Sequence, residues 1–207
     1  MSNESVKVWD ILIRIFHWSL VFFFMIAYLT GDELETMHAY IGFLIIGLLG
    51  LRIIWGIIGT QYARFTNFIC SPQTIMSYLK SLLTSNPKHY LGHNPAGGAM
   101  VIVMIIFLSL VSWSGLKAYE AEGKGPLAAT EISIVSTAVA DDWYEDDHKH
   151  GHKGDDFWED IHELIVNFML LLVFLHLGGV LASSALHKEN LVRAMITGRK
   201  EKHDSAD

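Results

Sequence analysis

Charged residues and cysteine are scarce in this sequence. Only 18% of the 207 residues are charged, whereas 51% are hydrophobic, and this balance is too apolar for an ordinary soluble domain. Cys70 is the single cysteine, which excludes a disulfide framework. The sequence also lacks internal repeats, and it is too short for two large domains. We therefore expect one membrane domain that covers residues 1–207.

Four apolar segments account for the hydrophobic composition. A helix that crosses a bilayer needs about 20 predominantly apolar residues, and each segment is of about that length. Arg14 and His17 interrupt the first segment, so it lacks the uniform apolar core of a cleaved signal peptide and is interpreted as a retained transmembrane helix. The predicted spans are residues 11–29, 37–59, 96–115 and 158–185. The fold class is an all-α membrane protein built as a four-transmembrane-helix bundle.

The connections between the spans differ in composition. Residues 60–94 are polar, and Ser71 followed by Pro72 is a typical helix start. An amphipathic pattern follows, which predicts a short interfacial helix between spans two and three. Residues 119–157 form an acidic loop between spans three and four. The sequence leaves open whether the three histidines of this loop bind a metal; they are His148, His150 and His152.

Lysine and arginine are distributed unevenly between the two sides of the predicted bundle. An even number of spans puts both termini on one side, and that side holds eleven of the 15 Lys and Arg residues. By the positive-inside rule both termini, including the basic tail 186–207, are expected to be cytoplasmic. The acidic loop is then expected to face outward.

Four histidines lie within the predicted spans. An imidazole inside a membrane is costly unless it has a partner, so it indicates a functional site. His162 and His176 are separated by fourteen residues, which places them about 21 Å apart along a helix and within about 40° of the same direction. His17 lies near the depth of His176, and His38 lies near the depth of His162. The histidines therefore form two layers with two imidazoles in each.

Two imidazoles in a layer favour haem over other metal sites. Zinc sites are usually four-coordinate and need more protein ligands, whereas haem iron needs only two axial ligands from the protein. A single cysteine excludes a C-x-x-C-H attachment site, so haem would be held noncovalently, as in a b-type cytochrome. With both axial positions filled, the iron has no open site for a substrate. Such a protein is expected to pass electrons.

Several motifs together resemble the bacterial cytochrome b561 family, which includes the b-type cytochrome subunits of nickel-iron hydrogenases. The motifs are RIFHW at 14–18, HAYIG at 38–42, RIIWGIIG at 52–59, GHNPAGG at 92–98 and HKENLVRAMITGRK at 187–200. They cover nearly the whole chain. The resemblance implies a four-helix diheme cytochrome b of the bacterial inner membrane. The long acidic loop departs from the family's usual short connection.

The resemblance also implies the roles of the four histidines. His17 and His176 would be the axial ligands of the cytoplasmic-side haem, and His38 and His162 those of the periplasmic-side haem. This is the pairing that depth suggests.

Four further residues are candidate haem contacts. Arg52 lies at the depth of the inner layer, where it would bind a haem propionate or extend to the aqueous interface. Arg14, one turn from His17, is a second propionate candidate. His93 would bond a propionate or a quinone, or else be a solvated loop residue. Gly42 would let a neighbouring helix or a flat cofactor approach closely.

The function implied is transmembrane electron transfer through two b haems, between membrane quinone or quinol and a periplasmic redox partner. The expected partners are membrane lipid, quinone or quinol, and the periplasmic redox protein, which is a c-type cytochrome or a hydrogenase-like complex. No nucleic acid is expected. Whether the protein has quinone oxidoreductase activity and whether it is a homodimer stay open. One alternative is a superoxide:quinone oxidoreductase, which the acidic outer loop disfavours because it repels a small anion. Another is a divalent-metal transporter, which would show no haem absorption.

Overall fold

The structure is a computed structural model that describes residues 5–31, 34–82, 84, 90–125 and 153–201. The described part contains helices and two short strands. In chain order these are β1 (Ser5–Lys7), α1 (Ile11–Thr30), α2 (Glu35–Ile58), α3 (Pro72–Ser81), α4 (Pro95–Ala121), α5 (Lys153–His187), α6 (Leu191–Thr197) and β2 (Arg199–Glu201). A single 3-10 turn, Phe65–Asn67, follows α2.

Four of the helices are long and apolar enough to cross a membrane, which confirms the predicted number of spans. They are Ile11–Thr30, Glu35–Ile58, Pro95–Ala121 and Phe157–His187. Their outward faces carry large apolar side chains, with Phe22 59% exposed and Leu29 72% exposed. In water such a surface would be unfavourable, but lipid is as apolar as these side chains. The protein is therefore a multi-pass membrane protein.

The four long helices do not all pack against one another. Helix α4 packs along α5, α1 packs along α2, and α2 also contacts α4. The central core comprises Ala27 of α1, three residues of α2, Leu108 of α4 and Met169 of α5. Among the described residues, α5 makes no extended backbone contact with α1 or α2. The bundle is thus two tight helix pairs with a wider separation on the α5 side.

Two helices extend beyond the predicted spans. Helix α4 continues to Ala121 rather than ending near residue 115, because residues 116–121 contain no helix breaker. It stops where Gly123 adopts a positive φ of 72° and Lys124 N–H bonds back to the Tyr119 carbonyl at 3.0 Å, a typical glycine-terminated helix end. Helix α5 begins at Lys153. Residues 126–152, including the three loop histidines, lie outside the described residues.

The short helix α3 confirms the helix predicted between spans two and three. Ser71 is its N-cap, with Oγ accepting a hydrogen bond from Thr74 N–H at 3.3 Å, and Pro72 occupies the first turn. Helix α3 packs on α4 and buries Tyr78, while Met76 stays exposed. Its placement in the membrane interface stays a prediction.

The two ends of the described chain meet on one side of the bundle, which we call the terminal side. Strands β1 and β2 pair antiparallel, with Val6 opposite Lys200. The sequence did not predict this ribbon. Beneath it, Asp10 caps α1 through Ile13 N–H at 2.9 Å and accepts a hydrogen bond from Trp55 Nε1–H at 3.0 Å. Burial raises the Asp10 pKa, but hydrogen bonds from Thr60, Ile13 and Trp55 outweigh it, so the pKa lies below its ordinary value.

Candidate functional site

Four histidines on three helices form two facing pairs. The His17 ring of α1 and the His176 ring of α5 have centroids 6.3 Å apart. The His38 ring of α2 and the His162 ring of α5 have centroids 6.0 Å apart. Helix α5 thus contributes one imidazole to each pair, and the His17/His176 pair is the one nearer the terminal side. These are the pairs that depth in the sequence predicted.

The spacing within each pair suits one metal ion between the rings. A ligating nitrogen lies about 2.0–2.1 Å from a metal such as zinc, and the imidazole centroid roughly 1 Å farther, so rings on opposite sides of one ion have centroids about 6 Å apart. Both separations agree with this value. A direct hydrogen bond between the two rings, with about 2.9 Å between the nitrogen atoms, would bring the centroids closer. Two ligands complete a haem iron but leave a zinc ion incomplete.

The surroundings of the pairs also provide room and an unsatisfied polar group. Each pair connects α5 to a helix, α1 or α2, against which α5 does not pack extensively. Gly42 lies one turn from His38, and a Cβ built on Gly42 would meet no described atom within 4 Å apart from the backbone of its own helix. The His17 Nδ1 atom is buried and has no hydrogen-bond partner among the described residues. Buried polar atoms are nearly always bonded. The residues therefore fit a flat group held between paired imidazoles.

Hydrogen bonds fix the orientation of both imidazoles in the His38/His162 pair. His38 Nδ1 lies 2.9 Å from the Ala27 carbonyl oxygen, which can only accept, so Nδ1 carries the proton. His162 Nδ1 lies 3.0 Å from Ser114 Oγ, and the Ser114 hydroxyl donates its proton to the Val111 carbonyl at 3.1 Å. His162 Nδ1 is therefore also the donor. In both rings Nε2 keeps its lone pair for a metal, the arrangement usual for ligating histidines.

Sequence reasoning missed the residues that support this pair. Ser114 is 0% exposed, yet it looks like an ordinary small residue of an apolar span. Gly115 is next to it, and a Cβ at that position would lie 2.9 Å from His162 Cε1. Ala27 lies in the last turn of α1, where helix carbonyls run out of backbone partners. The neighbouring pair of a hydroxyl residue and a glycine at the depth of a histidine was the signal that could have identified them.

Two of the contact candidates, Arg52 and Arg14, take clear positions on the terminal side of the bundle. Arg52 is only 4% exposed, which argues against extension to water. Its Nη1 donates to the Ala63 carbonyl at 3.3 Å, and the guanidinium lies 4.8 Å from the centre of the Phe65 ring. Arg14 instead donates a hydrogen bond to the Ile196 carbonyl, which ties α1 to α6.

His93 is not a solvated loop residue. Its ring lies 4.6 Å from the Trp9 ring and 4.5 Å from the Phe68 ring, measured between centroids. Its Nδ1 atom is buried without a hydrogen-bond partner in the part of the chain that the structure describes. Burial, and then the charges of Arg52, Lys200 and His176, lower the His93 pKa to about 3, so the imidazole is neutral.

Lys200 is a second buried basic residue on the terminal side, which the sequence indicated only as one of many positive charges. Its Nζ lies 3.2 Å from Glu189 Oε2, and both side chains are buried. Lys200 Nζ also donates to the Tyr90 carbonyl at 3.3 Å. The C-terminal segment is thereby fixed to the loop that precedes α4.

Four membrane helices with two pairs of facing imidazoles are the arrangement expected of a membrane electron-transfer cytochrome. The family comparison agrees with this class. Residues 8–198 match the model of the family described as prokaryotic cytochrome b561, so the chain belongs to that family. The resemblance inferred from the motifs is confirmed, and membership implies haem b as the cofactor.

Curated relatives align with this chain over nearly their whole length. A probable Ni/Fe-hydrogenase B-type cytochrome subunit of Azotobacter vinelandii is 26% identical, and the alignment covers 100% of this chain and 93% of the relative. A protein of the same description from Rhizobium leguminosarum bv. viciae is 23% identical, with 100% and 93% covered. No solved structure matches the chain significantly.

Proposed function

We propose that this chain holds two b haems and relays single electrons across the bacterial cytoplasmic membrane between quinone or quinol and a periplasmic redox partner. The observation that carries the proposal is the pair of imidazole separations, 6.3 and 6.0 Å, at two levels of one continuous helix, α5. Haem supplies one-electron chemistry when it is bound. His17 and His176 would hold it on the terminal side, and His38 and His162 on the opposite side.

The protein's own groups have distinct tasks in this function. The paired imidazoles would supply the protein ligands of each haem. Ser114 and the Ala27 carbonyl hold His162 and His38 with Nε2 facing the site. Arg52, a buried cation with few hydrogen bonds, suits a propionate. The four spans keep water away from both sites.

A hydrogenase-like complex is the partner best supported for the periplasmic side. Curated relatives that align with the whole chain are described as Ni/Fe-hydrogenase B-type cytochrome subunits. The Lys and Arg distribution supports cytoplasmic termini, which would put the His38/His162 pair toward the periplasm. In this arrangement the partner would exchange electrons with the His38/His162 haem, and quinone with the His17/His176 haem.

Two alternatives have less support. A divalent-metal transporter would need more ligands at each level, and among the described residues no group of three or more His, Cys, Asp or Glu side chains could hold a metal ion. A superoxide:quinone oxidoreductase would need an outer surface that attracts a small anion. The segment between α4 and α5 is rich in Asp and Glu, and its negative charge repels a small anion.

Purified protein tests the proposal directly. Haem extraction and reduced-minus-oxidised absorption spectra are expected to give about two b haems per chain, both reducible by a quinol. A protein that contains no haem after expression with sufficient haem supply contradicts the proposal and favours the transporter.

Substitution of Ser114 by Ala is expected to raise the midpoint potential of the His38/His162 haem. Without the Ser114 acceptor, His162 Nδ1–H loses its hydrogen bond and the ring donates less electron density to iron. The potential of the other haem should not change. Redox titration measures both. Ser109→Ala is the matched control, since Ser109 Oγ lies on the same helix but donates only to the Ile105 carbonyl. Equal shifts in both variants contradict this positioning role.

Substitution of Arg52 by Leu is expected to lower the potential of the His17/His176 haem. Removal of a buried positive charge destabilises the more electron-rich reduced state, and a shift on the order of 60 mV corresponds to a tenfold change in a one-electron equilibrium. Redox titration is again the measurement. Arg64→Leu, which removes an exposed arginine from the connection that follows α2, should have little effect. Absorption spectra check that the two variants contain the same amount of haem. An unchanged potential of the His17/His176 haem in Arg52→Leu would exclude a contact between Arg52 and a propionate.

A further inference from the structure

Helix α5 carries one histidine of each pair, and one residue lies halfway between these two histidines. His162, Met169 and His176 follow one another at intervals of seven residues on one continuous helix. Seven residues advance a helix by about 10 Å and return to within about 20° of the same direction. Met169 therefore lies midway between the two imidazoles, on the helix face that carries both of them.

Met169 is also the residue of α5 that the bundle encloses most completely. Its side chain is 2% exposed, and within residues 157–187 it is the only buried residue of this helix. Its neighbours Phe168 and Leu171 are 50% and 53% exposed. The other three spans therefore close around α5 at this one level, between the two histidine pairs.

The side chains around Met169 come from all four spans. They form the central core, whose other buried members are Ala27, Ile41, Ile45, Leu49 and Leu108. The three residues from α2 follow His38 at helical spacing, on the way to the opposite end of that helix. Leu108 of α4 lies at the level of Met169, because the adjoining rings of Phe107 and Phe168 have centroids 6.3 Å apart. The central core thus separates the two pairs.

The position of the core determines what an electron would cross between the two sites. A flat group held between two facing rings lies across the line that joins them, so its edge points along the bundle toward the other pair. Met169 lies between the two edges that would face each other. The buried members of the core are all apolar. A methionine suits this place, since its unbranched, polarizable side chain fills irregular gaps.

We propose that the Met169 side chain fills the space between the facing edges of the two haems and that electrons cross the bundle at this side chain. This inference rests on the proposed function and names the residue through which its two sites communicate. In each transfer one iron is oxidised and the other is reduced, and no bond forms or breaks. Because an electron tunnels more readily through packed atoms than through empty space, the volume of the side chain is the property that matters.

Nuclear magnetic resonance of the purified, haem-containing protein with isotope-labelled methionine methyl groups tests the position of Met169. Oxidised haem iron is paramagnetic and shifts the signals of nearby nuclei, an effect that falls steeply with distance. The Met169 signal, assigned by its loss in Met169→Leu, is expected to shift when either haem is oxidised. The signal of Met76, an exposed residue of α3, is the control and should shift far less.

Electron transfer between the haems, followed by absorption after a light pulse that reduces one of them, tests the role of the side chain. Met169→Ala leaves a cavity between the sites, and we expect the transfer to slow severalfold with haem content unchanged. Met169→Leu conserves volume and should keep the parent's rate. Met25→Ala is the matched control, since it truncates a methionine of α1 that is 59% exposed, and it should also keep the rate.

Two results overturn the inference. One is a Met169 signal that responds to only one haem or to neither, which is measured on the parent and does not depend on the folding of Met169→Ala. The other is a Met169→Ala protein with a lower melting temperature but the parent's rate of transfer between haems, which shows a purely structural role. Haem content is measured on the same samples, so failure of the proposed function, which is an absence of haem, is distinguishable from both.

Discussion

Replacement of His17 or His176 by Ala is expected to remove the inner haem and leave the outer one, so that haem content falls by about half. Replacement of His38 or His162 should do the reverse. Each substitution would leave one haem with a single histidine ligand. Packing and that one ligand would then be all that holds this haem in the protein. Haem extraction gives the content, and redox titration identifies the haem that remains.

The pattern across the four variants is the decisive result. His17→Ala and His176→Ala should deplete one haem, and His38→Ala and His162→Ala the other, because the rings lie 6.3 Å and 6.0 Å apart in these pairs. His203→Ala, in the C-terminal tail, is the control and should keep both haems. If His17→Ala and His162→Ala depleted the same haem, the assignment of ligands to sites would be wrong.

Substitution of Gly115 by Val is expected to abolish the outer haem although no ligand is changed. A Cβ at this position would lie 2.9 Å from His162 Cε1 and 3.3 Å from its Nδ1. Helices α4 and α5 pack closely, so the ring has to rotate away from the site and lose its hydrogen bond to Ser114. Overpacking of this kind typically costs about 1–3 kcal/mol.

Gly47→Val is the matched control for this variant. Gly47 lies in α2, and no described atom is within 4 Å of its built Cβ. It should keep both haems and the parent's thermal stability. Gly115→Val should keep the inner haem and its potential. A Gly115→Val protein with two haems at parent potentials would show that the His162 ring is not confined as the structure indicates.

The membrane helices were predictable because lipid imposes a simple rule on sequence. A segment that crosses a bilayer must satisfy its backbone internally and be apolar for about 20 residues, so four hydrophobic runs predict four helices. Ser71 followed by Pro72 likewise predicted the start of α3, because an N-cap and a first-turn proline favour a helix start through contacts with neighbouring residues alone. The end of α4 was less predictable. Lys117 and Glu120 interrupt the apolar run and suggest the end of a span, but residues 116–121 contain no Gly or Pro that would end the helix.

The β1–β2 ribbon could not be predicted from the sequence. Each strand has only three residues, and the pairing joins segments separated by almost the whole chain. Such short strands carry no periodic signal. They pair because the bundle has already brought both ends of the chain to one side, and the Lys200–Glu189 ion pair and the Lys200–Tyr90 bond then hold them there.

The sequence by itself determined the membrane class, the four spans and the pairing of His17 with His176 and of His38 with His162. Hydrophobicity and helical periodicity are local properties, and they fix the depth and face of each imidazole. Only the tertiary structure decided what surrounds those rings. The Ala27 carbonyl, Ser114 and Gly115 meet the histidines across helix interfaces, and His93 is buried between Trp9 and Phe68. Such contacts depend on how helices rotate and pack against each other, which no single segment of the chain specifies.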